Sequence, residues 1–384
     1  MPTTATVPET GASKIAPPAI NPPTRLPSLD ALRGFDMFWI AGADDIVVAS
    51  KAAAATAPPV AFLATQLEHV KWEGFRFYDL IFPLFVFIVG VSLVFSLTKA
   101  LEQQGRKAAI KRIFVRTLLL FVLGIIYSGG ISRGIEGIRL LGVLQRIALC
   151  YFFAALLFCM FRTRGLIIAC AGLLVGYWAM MSFIPVPEVG AGNFAEGANL
   201  ANWIDKEYLP FRKYDGNHDP EGLLSTLPAI ATCLLGVFAG LLLRKDQVSP
   251  AQKVKWLAIA GVSGLALGYL WSLQFPIIKK IWTSSYVLVA GGWSCLLLAF
   301  FYQLIEGWRL TKWAQPFVWI GMNPIVIYLA AAWFPFKDLA NRIAGGPIKW
   351  HLGPWGEAWV CAITLILVIL LARFLYRRKI FLRL

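Results

Sequence analysis

The sequence predicts an all-α, polytopic integral membrane protein with about ten transmembrane helices and both termini in the cytoplasm. Hydrophobic residues make up 58% of the chain, which exceeds what a soluble globular domain normally carries. Apolar runs recur along the chain, each close to the roughly 20 residues that cross about 30 Å of hydrocarbon. Lys and Arg are enriched in the loops on one side of these runs, as is typical of cytoplasmic loops.

The apolar runs predict the spans in order along the chain. They cover about 30–49, 76–98, 113–128, 138–161, 165–184, 223–243, 254–273, 282–305, 314–334 and 356–376. Residues 1–25 are rich in Pro, Ala and Thr and lack the apolar segment of a signal peptide, so we expect a disordered tail. Residues 26–384 are then expected to form a single transmembrane domain, with a long outer loop at 185–222.

Charge and cysteine usage exclude several classes of function. The net charge of +15 is explained by the cytoplasmic loops, and no aromatic and basic module supports a nucleic-acid partner. All six cysteines fall within predicted spans, without a CxxC pair or the spacing of a metal site. We therefore expect cysteines that pack as small apolar residues, and we predict neither a disulfide nor a bound metal.

The stretch 69–92 is the strongest candidate for a functional site. His69 lies just before an apolar run whose first turns contain Asp79 and Pro83. Ionisable groups and prolines are costly at a membrane boundary, so they usually mark a site. An imidazole titrates near neutral pH, and a neighbouring carboxylate can orient it as a general base. His69 is the predicted base, whereas His218 and His351, also predicted outside, resemble ordinary loop residues.

Carboxylates and aromatic residues accompany His69 on the predicted outer side. Asp44 ends the first span deep enough to need a polar partner, and we consider it and Asp79 as catalytic partners of the histidine. The outer loop is rich in Gly, Asn and Trp, which suits a sugar but equally an ordinary surface loop. The candidate substrate-binding residues are Asp45, Trp72, Asp219 and Glu221.

Several polar residues fall inside predicted spans. Arg33 lies in the first span and Arg146 in the fourth, while Ser285 begins the eighth and Asn323 precedes a proline in the ninth. Each has a packing explanation as well as a functional one. Together they predict a polar cavity that passes through the membrane.

Ordered sequence blocks resemble the heparan-α-glucosaminide N-acetyltransferase family of membrane acyltransferases. The resemblance extends from about residue 25 to the C-terminus. The blocks are Arg25-Leu-Pro-Ser-Leu-Asp-Ala-Leu-Arg-Gly-Phe35, His69-x-x-Trp-x-Gly-x-x-x-x-Asp79-Leu-Ile-Phe-Pro-x-Phe-Val-Phe-Ile-x-Gly90, Gly142-Val-Leu-Gln-Arg146, Asp219-Pro-Glu-Gly-Leu-Leu-Ser-Thr226, Trp282-x-x-Ser-Tyr286 and Gly321-Met-Asn323.

The resemblance implies a transmembrane acetyltransferase in a bacterial inner membrane. Such an enzyme moves an acetyl group from cytosolic acetyl-CoA to the amino group of a glucosamine-type sugar or glycan terminus on the periplasmic side. His69 matches the family's catalytic histidine. Asp44 stands where the lysosomal enzyme has an Asn, which is a departure from the family pattern. No metal is implied, and the sequence leaves a homodimer open.

The resemblance also suggests how the two substrates are held. The anionic nucleotide of CoA requires cations at the inner mouth, and the acceptor ammonium is attracted by Asp44, Asp219 and Glu221. Asn323 or Ser285 would donate to the oxyanion. The candidate ligands of the CoA phosphates are Arg33, Arg112, Arg116 and Arg146.

Other functions remain open at this stage. A secondary transporter for an amino sugar would also use buried carboxylates and a proline-interrupted span. Against it, the sequence shows no corresponding pair of broken helices, and His69 lies at the outer mouth. An O-acyltransferase acting on a cell-envelope glycan would keep the fold and change the acceptor. Direct transfer and an acetyl-histidine intermediate are both compatible with the sequence.

Overall fold

The protein is helical throughout the part that the structure describes. This computed structural model describes residues 26–51 and 58–382, and within them only two isolated β-bridges interrupt a succession of helices and loops. The predicted all-α class is therefore confirmed. The predicted tail at 1–25 lies outside the described residues.

The helices are numbered in chain order. They are α1 Pro27–Phe38, α2 Asp44–Ser50, α3 Pro58–Gln66, α4 Phe77–Tyr127, α5 Val143–Met160, α6 Thr163–Phe183, α7 Leu200–Tyr208, α8 Thr226–Leu243, α9 Pro250–Trp271, α10 Ser284–Tyr302, α11 Gln315–Gly321, α12 Pro324–Trp333, α13 Phe336–Ala344, α14 Pro347–His351 and α15 Gly356–Arg377.

The predicted number of ten spans is not confirmed. Among the described residues, seven helices are long and apolar enough to cross a membrane, or eight if α11 and α12, bent by 82°, count as one span. The first predicted span, 30–49, is divided between α1 and α2. A π-helical turn at Trp39–Ala43 separates them, and Gly42 within it has a φ of 115°. This interruption explains why no long continuous helix forms there.

Helix α4 folds back on itself and accounts for a further part of the difference. A straight helix of its 51 residues would be about 75 Å long. Yet Tyr78 in its first turn lines the same cavity as Tyr328, and Tyr127 at its last residue stacks on Tyr328 with ring centroids 4.6 Å apart. The chain reverses at Gly105, where φ is 78° and ψ is 173°. The two antiparallel arms cover the predicted spans 76–98 and 113–128, although α4 counts as one helix among the seven.

The first arm of α4 packs closely against α8 through glycines. A Cβ on Gly90 would lie 1.9 Å from the carbonyl oxygen of Cys233, and one on Gly236 would lie 1.9 Å from that of Phe87. Small residues at such crossings allow helix backbones to approach within a membrane, where close packing replaces the hydrophobic driving force. Helices α5 and α10 both pack against this pair.

The helix ends on one face of the bundle build the candidate site. This cavity face contains the N-terminal ends of α4, α5, α8 and α10, together with residues 272–283, which join α9 to α10 and are called the α9–α10 connector. The loop before α4 is attached to this connector because the Gly74 N–H donates to the Ile277 carbonyl at 2.9 Å. The connector is in turn fixed to α6 by the Tyr177 hydroxyl, which donates to the Ile281 carbonyl.

The α4–α8 contact predicts a strong dependence on glycine at its centre. In Gly90→Ala the new methyl group would collide with backbone, so we expect a loss of about 1–3 kcal/mol of stability or more. Gly172→Ala is the matched control, because no neighbouring heavy atom lies within 4 Å of its Cβ position. Thermal unfolding of the purified proteins in detergent measures the difference. Equal midpoints for the two variants would contradict this packing.

Candidate active site

His69 and Asp79 form a hydrogen-bonded pair at the start of α4. The Nδ1 atom of His69 lies 2.9 Å from Oδ1 of Asp79. The His69 side chain is half exposed, whereas that of Asp79 is 1% exposed. A buried carboxylate on Nδ1 selects the tautomer in which Nε2 carries the lone pair. This is the arrangement of a general base.

Backbone amides hold the Asp79 carboxylate in place. Its Oδ2 accepts hydrogen bonds from the N–H of Arg76 at 3.1 Å and of Val70 at 3.3 Å. Both amides precede α4, so a negative charge here also complements the positive end of the helix dipole. The carbonyl of Asp79 accepts the hydroxyl of Tyr286 at 2.7 Å. Asp79 therefore fixes both the histidine and the loop that carries it.

Lys279 completes the polar group around His69, although the sequence analysis did not select it. Its Nζ lies 2.9 Å from Nδ1 and 3.3 Å from Nε2 of His69, and 3.4 Å from Oδ1 of Asp79. Lys279 belongs to the α9–α10 connector and is 210 residues from His69 in the chain. Burial lowers the pKa of Lys279, while the nearby Asp79 carboxylate opposes that shift.

These residues open into a cavity of about 360 Å³. Its lining combines aromatic rings with cations and one carboxylate, a composition that suits a polar ring-shaped ligand. The residues that line it are Ile40, His69, Val70, Tyr78, Ile81, Phe82, Arg139, Val143, Tyr214, Pro220, Glu221, Lys279, Lys280 and Tyr328.

Asp44 reaches the histidine only through a tyrosine. The Tyr78 hydroxyl donates to Oδ2 of Asp44 at 2.5 Å, and the Tyr78 ring lies against the imidazole with centroids 4.8 Å apart. The carboxylate that contacts His69 is Asp79, so of the two predicted partners only one touches the ring. Asp44 positions Tyr78 in this structure.

The predicted acidic residues of the outer loop are paired with an arginine. Arg139 binds Asp219 through two hydrogen bonds of 2.8 and 2.7 Å and Glu221 through one of 2.6 Å. Asp219 does not line the cavity, whereas Glu221 does. Burial raises the pKa of Glu221 to about 7, and the Arg139 charge opposes this effect. Glu221 is thus the member of the pair that can face a substrate.

Arg146 lies at this same face and supports the loop before α8. Its side chain is buried, donates to the carbonyls of Gly222 and Ser225, and lies over the Trp282 ring at 5.2 Å. These contacts occupy its guanidinium in positioning the loop. The expectation that Arg146 holds CoA phosphates at an inner mouth does not fit this position.

The two predicted oxyanion donors are also placed elsewhere. Asn323 donates to the Ile380 carbonyl at 2.8 Å and accepts the N–H of Leu382 at 3.1 Å, which attaches the C-terminal segment to the break between α11 and α12. Ser285 donates to the Pro276 carbonyl at 3.1 Å. Neither residue lines the cavity.

The remaining predicted residues divide between the two faces. Trp72 supports the outer loop, because its indole N–H donates to the Phe194 carbonyl at 2.9 Å. Asp45 is exposed on α2. Neither residue lines the cavity. Arg33 donates to Ser92 at 2.7 Å and to the Gly321 carbonyl at 3.1 Å. Arg116 lies over the Tyr151 ring at 4.4 Å and Arg112 is exposed one turn earlier on α4.

Asp205 in α7 binds the backbone of the loop that carries Glu221. Its carboxylate accepts the N–H of Leu223 at 2.8 Å and of Asp219 at 3.3 Å, and a Cβ on Gly222 would lie 1.9 Å from one of its oxygens. Burial raises the pKa of Asp205 from 3.8 to about 6. The loop that carries Glu221 is therefore fixed by a carboxyl group whose ionisation is disfavoured in the fold.

This pKa shift predicts a specific dependence of stability on pH. Because the folded pKa is raised, the stabilisation is full below about pH 4 and is lost as the pH rises through about 6, by up to about 3 kcal/mol. In Asp205→Asn the melting temperature should fall less between pH 4.5 and 7 than in wild type. Asp338→Asn, at an exposed position, is the control. Parallel pH curves for wild type and Asp205→Asn would contradict the prediction.

Comparison with known proteins relates this sequence to a family. A family model described as heparan-alpha-glucosaminide N-acetyltransferase, catalytic, matches residues 25–273. The chain is also 28% identical over 381 residues to the heparan-alpha-glucosaminide N-acetyltransferase of Homo sapiens and 28% identical over 377 residues to that of Mus musculus. Each match covers 82% of this chain.

The matches cover a larger share of this chain than of the human and mouse relatives. The chain spans about half the length of the curated relatives it matches, 55% of the human protein and 56% of the mouse protein. The matched region of the family model includes His69, Asp79, Arg139 and Glu221 and ends shortly before Lys279. On the extent of this match, the chain belongs to the heparan-alpha-glucosaminide N-acetyltransferase catalytic family.

Proposed function

We propose that this protein is a membrane N-acetyltransferase that moves an acetyl group from acetyl-CoA to the amino group of a glucosamine-type sugar. The carrying observation is the His69–Asp79 pair, with Lys279 beside it, at the wall of a cavity of about 360 Å³. The names of the human and mouse relatives support the acetyl group and the glucosaminide acceptor.

The proposed reaction uses His69 as a proton carrier. The neutral amine of the sugar attacks the thioester carbonyl, and Nε2 of His69 removes a proton from the attacking nitrogen. The tetrahedral intermediate then expels the CoA sulfur, which receives that proton from the imidazolium. The products are the N-acetylated sugar and the free thiol of CoA. Asp79 stabilises the imidazolium throughout, because its carboxylate contacts Nδ1.

Lys279 is the best-placed group to stabilise the oxyanion. Its ammonium is within 3.3 Å of Nε2, so a carbonyl under attack beside Nε2 would lie within reach of the same cation. A partly desolvated cation acts strongly on a developing negative charge. The same positive charge disfavours the protonated amine in this position, which leaves the acceptor in its reactive form.

An apolar cleft continues the cavity into the helix bundle. It is lined only by apolar residues and Tyr328, shares Ile40, Phe82, Val143 and Tyr328 with the active-site cavity, and ends at Pro324 and Ile325 beside the break between α11 and α12. A narrow apolar passage suits the pantetheine arm of CoA better than its nucleotide. In this proposal the arm follows the line of the cleft, which has a volume of about 30 Å³ and widens when the arm enters, and the nucleotide stays at the face opposite the cavity.

Basic residues mark that opposite face. The α4 reversal at Gly105 lies there, as does the ion pair of Arg244 with Glu102 at 2.7 Å. We assign this face to the cytoplasm by the positive-inside rule and the active-site cavity to the periplasm of a bacterial inner membrane. Arg33, Arg112 and Arg116 remain the proposed ligands of the CoA phosphates.

The structure changes one argument against a transporter. The sequence suggested only one broken span, whereas the structure interrupts the first segment at Trp39–Ala43 as well as the pair α11 and α12. Two neighbouring broken segments are a feature of transporter sites. The His69–Asp79 pair instead favours acyl transfer, and binding of acetyl-CoA to the purified protein distinguishes the two functions. An O-acyltransferase would acetylate a hydroxyl acceptor in the same assay.

Replacing the proposed base provides the first functional prediction. His69→Ala should lower turnover by about 10²–10⁴-fold, because a positioned base contributes that factor, while acetyl-CoA affinity changes little. His351→Ala is the matched control, since His351 is exposed on α14 and its hydrogen bond within the described part of the chain is to the Pro347 carbonyl. Acetylation of glucosamine by purified protein is the assay. Near-normal turnover of His69→Ala would remove the histidine from the mechanism.

The proposed CoA site predicts separate effects on donor and acceptor. Arg112→Gln should raise KM for acetyl-CoA severalfold, more strongly at low salt, where charge interactions are least screened. The KM for the sugar should stay unchanged. Arg164→Gln, exposed at the start of α6, serves as the control. An equal rise in both KM values in Arg112→Gln would indicate a folding defect and oppose this assignment.

A further inference from the structure

A second polar cluster lies beside the active-site cavity, in the outer loop. Nε2 of His218 lies 3.6 Å from Oδ2 of Asp215 and 3.7 Å from Oε1 of Glu196. The ligand atoms of these three residues all lie within 4.8 Å of one another. Asp215 and His218 are three residues apart after α7, whereas Glu196 precedes α7 and is brought to them by the fold.

His218 supplies the independent indication of a ligand. The residue is 5% exposed, and its Nε2 is buried and has no hydrogen-bond partner among the described residues, while it faces both carboxylates. A buried polar atom without a partner is energetically costly, which favours a ligand at this position.

The distances fit a small transition-metal ion. Zinc binds imidazole nitrogen and carboxylate oxygen at about 2.0–2.2 Å, which places the atoms of a tetrahedral site about 3.4 Å apart. The observed separations of 3.6 and 3.7 Å from Nε2 need only small shifts to meet that geometry. One imidazole with two carboxylates also favours zinc over calcium, which prefers oxygen ligands alone.

We propose that Glu196, Asp215 and His218 form a binding site for a divalent transition metal, with zinc as the best chemical match. Lys280 is the competing cation, because its Nζ lies 2.8 Å from Glu196 and 2.9 Å from Asp215. The ammonium neutralises the carboxylates but leaves Nε2 of His218 without a partner. A metal ion satisfies all three groups and displaces Lys280, which lines the active-site cavity.

Metal binding at this site would act on the cavity from outside. It would link residues 196 and 218 across α7 and so stiffen the loop that carries Tyr214 and Glu221. It would also free the Lys280 ammonium towards the cavity. The proposal does not depend on the acetyltransferase assignment, because it concerns residues that take no part in the proton transfer.

Zinc titration of the purified, tag-free, full-length protein in detergent tests the proposal by calorimetry. We expect one equivalent bound by wild type, at least tenfold weaker binding in His218→Gln, and tighter binding in Lys280→Met, which lacks the competing cation. His351→Gln should bind as wild type does. If His218→Gln does not fold, Asp215→Asn should show the same loss.

Thermal unfolding gives a second readout that does not require activity. A ligand that binds only the folded state raises its stability, so zinc should raise the melting temperature of wild type and His351→Gln but not of His218→Gln. Absence of zinc binding by wild type would overturn the proposal. Equal affinities of His218→Gln and His351→Gln would do the same, because the ion would then lie elsewhere.

Discussion

The candidate site depends on the contacts that the buried carboxylate of Asp79 makes. It accepts two backbone amides at the start of α4, contacts His69 and lies 3.4 Å from the Lys279 ammonium. Burial of such a charge is tolerated only when these partners are all present. Asp79 therefore links the loop before α4, the helix itself and the α9–α10 connector, alongside the backbone hydrogen bond from Gly74 to Ile277.

The membrane explains why so much of the polar structure gathers at one face. Unpaired ionisable groups are costly in hydrocarbon, and the structure pairs them near helix ends. Arg139 binds Asp219 and Glu221, and Arg146 binds the carbonyls before α8. These contacts build a rigid wall behind His69. The interior beyond it narrows to an apolar cleft of about 30 Å³.

The sequence could predict the helical class and the His69–Asp79 pair because both are local features. Apolar runs mark helices directly, and a histidine ten residues before an aspartate at a span boundary lies one loop away from it. Lys279 could not be found in this way, since 210 residues separate it from His69 and no periodic pattern connects them. Its position three residues before the Trp282 block was the only available signal. The roles expected for Arg146 and Asn323 do not match their contacts. Hydropathy shows that a polar residue lies inside a span, but it does not show which backbone groups that residue binds.

The span count shows the same limit. Gly42 interrupts the first segment through its backbone conformation, which an apolar window does not detect, whereas the reversal at Gly105 falls in the polar stretch between the predicted spans 76–98 and 113–128. Asp44 was correctly placed near the base but not in contact with it, since Tyr78 intervenes. The helix interruptions depend on backbone conformation, and the contacts of Asp44 depend on the length and direction of side chains. Composition shows neither.

Transfer across a sealed bilayer tests the central claim most directly. Proteoliposomes of known orientation would receive radiolabelled acetyl-CoA at the face carrying Arg112, with glucosamine present only at the face carrying His69. If the acetyl group crosses the bilayer as proposed, we expect labelled N-acetylglucosamine on the side of the acceptor, and none with His69→Ala protein. Product formed only when both substrates share one side, or no product with either arrangement, would contradict it.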